Sequence, residues 1–297
     1  MTIKTLDLFA DTVLVSLERH RLGFTRKVAN ESVGVEIDRR WFRSSKTILR
    51  SPEYVEIGLA LTSMKNFLDV RRAPGNFFRP GCFLVRKKLV PEIQAQVKAT
   101  QERLAAAVEA FLATYEQRKA EARVELEPKG LYAESDYPTP AQIRVAISVS
   151  VRYVELSIPE ELPEEIKQQQ REQLQAEVKQ AVDEIRLAMR ESALQLFAHL
   201  SERLQPSKDG DKKVLQDRAY ERLLEFMEHF DDRDITDDEA ARAVIREARE
   251  ALSGVDVSDI RDDAGLRSAM ADVVGEINDS LTGLVKEQRS RMIELED

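Results

Sequence analysis

The chain is poor in the residues that most constrain a reading. It has one cysteine, Cys82, in 297 residues, which excludes an intramolecular disulfide or multi-cysteine metal centre and fits a reducing cytoplasm. Aromatics make up 6 % and glycines number 11, against a background rich in Glu, Gln, Arg, Ala and Leu. That balance argues against an all-β protein and for long helices. No run approaches the roughly 18 apolar residues of a membrane span, and the first residues lack a secretory-signal pattern, so no membrane partner is expected. Neither the P-loop nor the dinucleotide glycine pattern occurs. G-x-S-x-G is missing as well, and Cys82 has no histidine near it in sequence. His20, His199 and His229 are far apart, and none pairs with another histidine at the spacing of a zinc-binding helix. The expectation is a non-enzyme with no catalytic residue, metal or cofactor.

What the chain does have is apolar content, 42 %, enough to bury a core and to exclude wholesale disorder. Its net charge of -9 conceals a split. Residues 1–100 carry 18 basic and 10 acidic side chains, 101–200 carry 12 and 18, and 201–297 carry 15 and 26. A basic head thus precedes an acidic body, which calls for an acidic partner or for attraction between the two ends.

Periodicity orders the segments. Val13, Val15 and Leu17 alternate, predicting a strand over 12–18. Residues 35–50 mix Val35, Ile37, Trp41, Phe42, Ile48 and Leu49 with basic side chains and read as a helix. Ser51-Pro52-Glu53 opens a helix to about Val70, with Pro52 in its first turn. Residues 71–88 break the pattern with two prolines and two glycines. A helix returns over 90–124 and stops at Pro128-Lys129-Gly130. Thr139-Pro140-Ala141-Gln142 has capping-box spacing. The stretch Ile147–Leu156 alternates best of all, and 12–18 is its expected partner. Pro163 opens the longest stripe: Ile166, Leu174, Val178, Val182, Ile185, Met189, Leu196, Leu200 and Leu204. Its expected partner is the 90–124 helix, folded back antiparallel. Beyond a polar turn at 206–211 lies a helical bundle, with a second capping box at Thr236-Asp237-Asp238-Glu239 and a C′ glycine at Gly254.

The fold class expected is therefore mainly α: an elongated, coiled-coil-like antiparallel hairpin, a small β element and a C-terminal helical bundle. Three consecutive regions follow: a basic 1–88, a hairpin over 89–206 with a β-containing insertion at 128–162, and an acidic bundle over 207–297.

Candidate binding residues concentrate in the basic loop. Arg71, Arg72, Arg79, Arg86, Lys87 and Lys88 interleave with Phe77, Phe78 and Phe83, and no acidic residue occurs from 70 to 91. Arginines beside stackable rings suit a phosphate backbone or a single-stranded base. The competing reading has the rings anchoring the loop and the cations facing water or the chain's own acidic helices. A second run, Arg39-Arg40-Trp41-Phe42-Arg43, reads the same way; on a helix its rings would point inward. Asp231–Glu239 superficially suggests calcium but lacks the glycine and glutamate of an EF-hand loop, and reads as a solvated turn before a helix N-terminus.

Several further segments carry a resemblance. They are Phe111-Leu112-Ala113-Thr114-Tyr115, Leu131-Tyr132-Ala133-Glu134-Ser135-Asp136-Tyr137-Pro138, Ser150-Val151-Arg152-Tyr153, the lead-in from Leu156 to Pro163, and Ile235-Thr236-Asp237-Asp238. Together, from about Ala113 to Leu284, the chain resembles a family of uncharacterised bacterial, plasmid and phage proteins often encoded beside MoxR-like or cobaltochelatase-like AAA+ ATPases and von Willebrand A-type proteins. Leu14–Val28 is similar to that family's opening segment, whereas the loop at 71–88 departs from it. The resemblance implies no active site; it implies an AAA+ system as context. The expected function is thus a cytoplasmic adaptor or scaffold in a multiprotein assembly, with an AAA+ ATPase or a second copy as partner. The alternative is a nucleic-acid-binding component of a phage replication or defence complex, acting through residues 1–100.

Overall fold

A computed structural model describes residues 11–34, 36–38, 40–74, 81–154, 163–205 and 215–293. It is mainly helical with a small three-stranded sheet, as composition and periodicity lead one to expect. The strands are β1 (Thr12–His20), β2 (Thr25–Val28), β3 (Ser44–Thr47), β4 (Cys82–Arg86) and β5 (Ser148–Val154). The helices are α1 (Glu53–Asp69), α2 (Val90–Leu126), α3 (Pro140–Ala146), α4 (Glu164–Leu204), α5 (Asp217–Glu228), α6 (Phe230–Arg233), α7 (Glu239–Leu252), α8 (Val257–Asp262) and α9 (Ala264–Ile293). The sheet order is β4-β1-β5, so the predicted pairing of 148–154 with the first strand holds. None of the described helices is long and apolar enough to cross a membrane.

Two compact units divide the chain. One takes residues 1–15, 69–89 and 153–297; the other takes 16–68 and 90–152. They interleave along the sequence, where the sequence reading divides it into three consecutive regions. We call them the acidic unit and the basic unit: the first holds 27 basic and 39 acidic side chains, the second 18 and 15.

In the acidic unit, α4 packs lengthwise against α9. Val178, Ile185, Met189, Phe197 and Leu200 share one core with Val274, Ile277 and Leu281. The expected partner of the long helix, residues 90–124, instead belongs to the basic unit. Both α2 and α9 carry a stripe long enough to cover α4, and periodicity alone does not choose between them. Helices α5 to α8 close the same core through Tyr220, Leu223, Phe230, Ile245 and Ile260.

In the basic unit the core gathers around Phe111 of α2, which is fully buried. Its ring lies 5.7 Å from Phe24, 5.1 Å from Tyr54 and 5.5 Å from Tyr115. Thr139 and Gln142 form the expected capping box at the start of α3, and Gly130 ends the α2 region in the left-handed conformation, φ 64°.

Two further expectations fail. The described residues of 35–50 form no helix: β3 pairs antiparallel with β2, Thr25 opposite Thr47 and Val28 opposite Ser44. The inward face of this hairpin is held by charge, Lys46 and Arg26 reaching Asp136 at 2.6 and 3.9 Å, so no apolar alternation marks it. Within 71–88, read as an irregular loop, Cys82–Arg86 is a strand, with Phe83, Leu84 and Val85 all buried.

Candidate functional site

Three polar or aromatic features merit a site-by-site account, beginning with the basic loop. Phe77, Phe78 and Arg79 lie outside the described residues. Arg86 is mostly buried: it pairs with Asp11 at 3.1 Å and Asp237 at 2.6 Å and donates to the Asp234 carbonyl, all within the acidic unit. Lys88 reaches Asp232 at 2.9 Å, and Arg72 reaches Asp69 at 3.2 Å with its guanidinium over the Phe83 ring. Arg71 and Lys87 also have partners. The described cations of this loop are therefore engaged by the protein's own residues, the competing reading of the sequence.

The aspartate-rich turn supplies two of those acids, Asp232 and Asp237, and its centre, Asp234 to Thr236 with Asp238, is buried rather than solvated. Among the described residues no cluster suited to a metal ion occurs. Asp234 is buried; its Oδ1 accepts from the Thr236 amide and hydroxyl at 3.0 and 2.8 Å, and its Oδ2 from the Asp238 amide at 2.9 Å. Asp237 takes φ 50°, a conformation aspartate tolerates. The cap of α7 is Asp238, which accepts from the Ala241 amide; Thr236, expected in that role from capping-box spacing, is spent on Asp234. Asp238 is 5 % exposed and forms a two-point pair with Arg190, 4 % exposed, at 2.6 and 2.9 Å. Burial alone would raise the Asp238 carboxyl, but the Arg190 guanidinium overrides it and holds the group below the usual carboxylate range. Arg242 meets Asp234 and Asp237 at 2.9 and 2.7 Å. This network orders a turn; every strong acceptor in it already has a donor.

The third feature is the turn between β2 and β3, in the basic unit. Asn30, 0 % exposed, donates to the carbonyls of Ile37 and Phe42 at 2.7 and 3.0 Å and accepts from the Ser44 amide and hydroxyl. Asp38 caps the bend: the amides of Trp41 and Phe42 donate to its carbonyl, and its carboxylate receives the Arg40 amide and guanidinium. These bonds turn Trp41 outward, 86 % exposed, with Phe42 beside it at 44 %. The sequence reading of this run as inward packing on a helix is thereby overturned. The ordering residue, Asn30, was not among the candidates; its only signal is an asparagine ahead of a glycine-bearing turn.

His20 and His199 are exposed, and His229 lies 3.9 Å from Asp232 at the end of α5. They do not converge. Comparison with protein-family models, curated proteins and solved structures finds no match to this chain.

Proposed function

We propose that this protein works without catalysis of its own, as an adaptor or scaffold in a multiprotein assembly, with an AAA+ ATPase as the partner that the sequence resemblance implies. One observation carries the reading: among the described residues, the first third of α4 is an arm without a core. Helix α4 has 41 residues, and among its described side chains the first buried one is Val178. From Glu164 to Glu177 the described side chains are exposed, Lys167 excepted. That is roughly 20 Å of helix, stiffened by pairs such as Gln168–Glu172 and Gln173–Glu177. A helix held at one end and wet at the other is a natural lever for a second protein. Ile166 lies exposed on it, and the acidic unit around it favours a basic partner surface.

The test is purification of the full chain with its genomic neighbours, with a photo-crosslinking residue at position 166. Recovery of a stoichiometric ATPase crosslinked at that position supports the reading. A crosslinked second copy would make the assembly homo-oligomeric. A monomer with no crosslinked product overturns it.

A further inference from the structure

We propose that the solvent-facing side of the β2–β3 hairpin, from Trp41 to the cleft beyond Thr47, is a binding track for single-stranded nucleic acid. The two faces of this hairpin use their cations differently. Arg26 and Lys46 point inward and are spent on Asp136. Lys27, opposite Ser45 in the ladder, points outward, as does Arg43, two residues before Ser45. Neither the Lys27 nor the Arg43 side chain forms an ion pair or hydrogen bond among the described residues, and the same is true of the Arg50 side chain. Over residues 25–50 the chain carries seven basic and three acidic side chains, so the outward cations are surplus to local pairing.

The outward face is ordered for a polyanion. Alternate residues along a strand recur about every 6.7 Å, which sets Arg43, Ser45 and Thr47 in a row of donors suited to successive phosphates. At one end stands Trp41, held outward by the Asn30 and Asp38 bonds. An exposed ring is sequence-tolerant, because every base offers a π face. At the other end, Thr47–Arg50 form one wall of a cleft of about 380 Å³ whose far side carries Arg118 and Lys129. Those two cations are tied to acids, Arg118 to Glu121 at 3.1 Å and Glu53 at 3.6 Å and Lys129 to Glu125 at 3.9 Å, so the cation this cleft adds to the track is Arg50. Stacking on Trp41 needs an unpaired base, which selects single strands over duplex.

Trp41 is the only tryptophan, so its fluorescence reads the site directly. Full-length protein is titrated at low salt with oligothymidylate, oligouridylate and a mixed-sequence duplex. Saturable quenching by the single strands, fading as salt rises, is expected. Lys27→Gln/Arg43→Gln keeps the fluorophore and should flatten the slope of log affinity against log salt by about 1.4, at roughly 0.7 per phosphate contact. Trp41→Ala, followed by anisotropy of a labelled oligonucleotide, should weaken binding about 5- to 150-fold; far-UV circular dichroism checks that each variant is folded. The proposal falls if single strands do not quench Trp41, if duplex quenches it as well, or if binding survives Lys27→Gln/Arg43→Gln with its salt slope intact. A blue shift on anionic vesicles with no response to oligonucleotides would assign the tip to lipid, and would equally refute it. None of these readings depends on whether the α4 arm captures a protein, so the two proposals fail separately.

Discussion

Arg190→Met should destabilise the acidic unit far more than an average substitution, because it strands a buried charge. Arg190 binds Asp238 through Nε at 2.6 Å and Nη2 at 2.9 Å, and donates from Nη1 to the Leu284 carbonyl at 2.8 Å. Hydrogen bonds to a charged group contribute roughly 1.5–3 kcal/mol each. Two of them give about 3–6 kcal/mol, in line with the 3–5 kcal/mol lost when one partner of a buried pair is removed. With an m value of about 2 kcal/mol/M, the urea midpoint followed by far-UV circular dichroism should fall by about 2 M at neutral pH. Asp238→Ala removes the same bonds and the α7 cap, adding roughly 0.5–2 kcal/mol. The double variant leaves neither charge stranded, so it should cost less than the sum of the singles by more than about 1 kcal/mol. The pH dependence has a definite sign. The folded Asp238 carboxyl is held below its ordinary value, so its contribution is present above the unfolded pKa of about 3.9 and is lost as pH falls through the folded value. The gap between wild type and Arg190→Met should hold at neutral pH and close below about pH 4. A loss under about 1 kcal/mol, or strict additivity in the double variant, would refute the assignment of this pair as the clasp of the acidic unit.

Three further outcomes are expected. Asn30→Ala cuts the bonds that order the hairpin turn and should lower stability by about 1–3 kcal/mol while the fluorescence anisotropy of Trp41 falls; unchanged anisotropy would mean that the turn holds without Asn30. Tyr115, Tyr132 and Tyr137 are pushed up to about 12, burial being the largest cause for each. Against an ordinary phenol near 10, their stabilisation is complete below that pH and is lost as pH rises from about 10 to 12. Alkaline titration of the six tyrosines should therefore show a late group whose ionisation accompanies loss of helix, and a single step near 10 would contradict it. Arg86→Gln removes the partner of Asp11 and Asp237 and should lower the thermal midpoint, with oligonucleotide binding unchanged; intact stability with lost binding would restore the basic loop as a nucleic-acid surface.

What was legible in the sequence was whatever a repeating apolar pattern records. The stripe from Val178 to Leu204, the 90–124 helix, the Thr139 box and the alternation over 148–154 all emerge as read, because each buries one face and leaves the other wet. Periodicity says that a face is covered but not by what. Thus α4 received the wrong partner when α9, with Met270, Val274, Ile277 and Leu281 buried, was equally able to cover it. The hairpin was missed for a deeper reason. Its inward positions are Arg26, Val28, Ser44 and Lys46, three of them polar, and the two charged ones meet a single carboxylate, Asp136, about ninety residues beyond Lys46. A period of two written in charge, with its counter-ion remote in sequence, looks like loop. The same blindness bears on both candidate regions. The cations at 86 and 88 looked available because their acids lie about 150 residues away, at Asp237 and Asp232. Trp41 looked buried because a tryptophan between arginines usually is. Only the Asn30 and Asp38 bonds, each spanning fewer than fifteen residues, turn it outward. A cation's availability is a statement about counter-ions, and those are fixed by the tertiary fold. The surface to mutate first therefore moves from the loop densest in arginine to Lys27, Trp41 and Arg43, where the charges have no internal partner among the described residues.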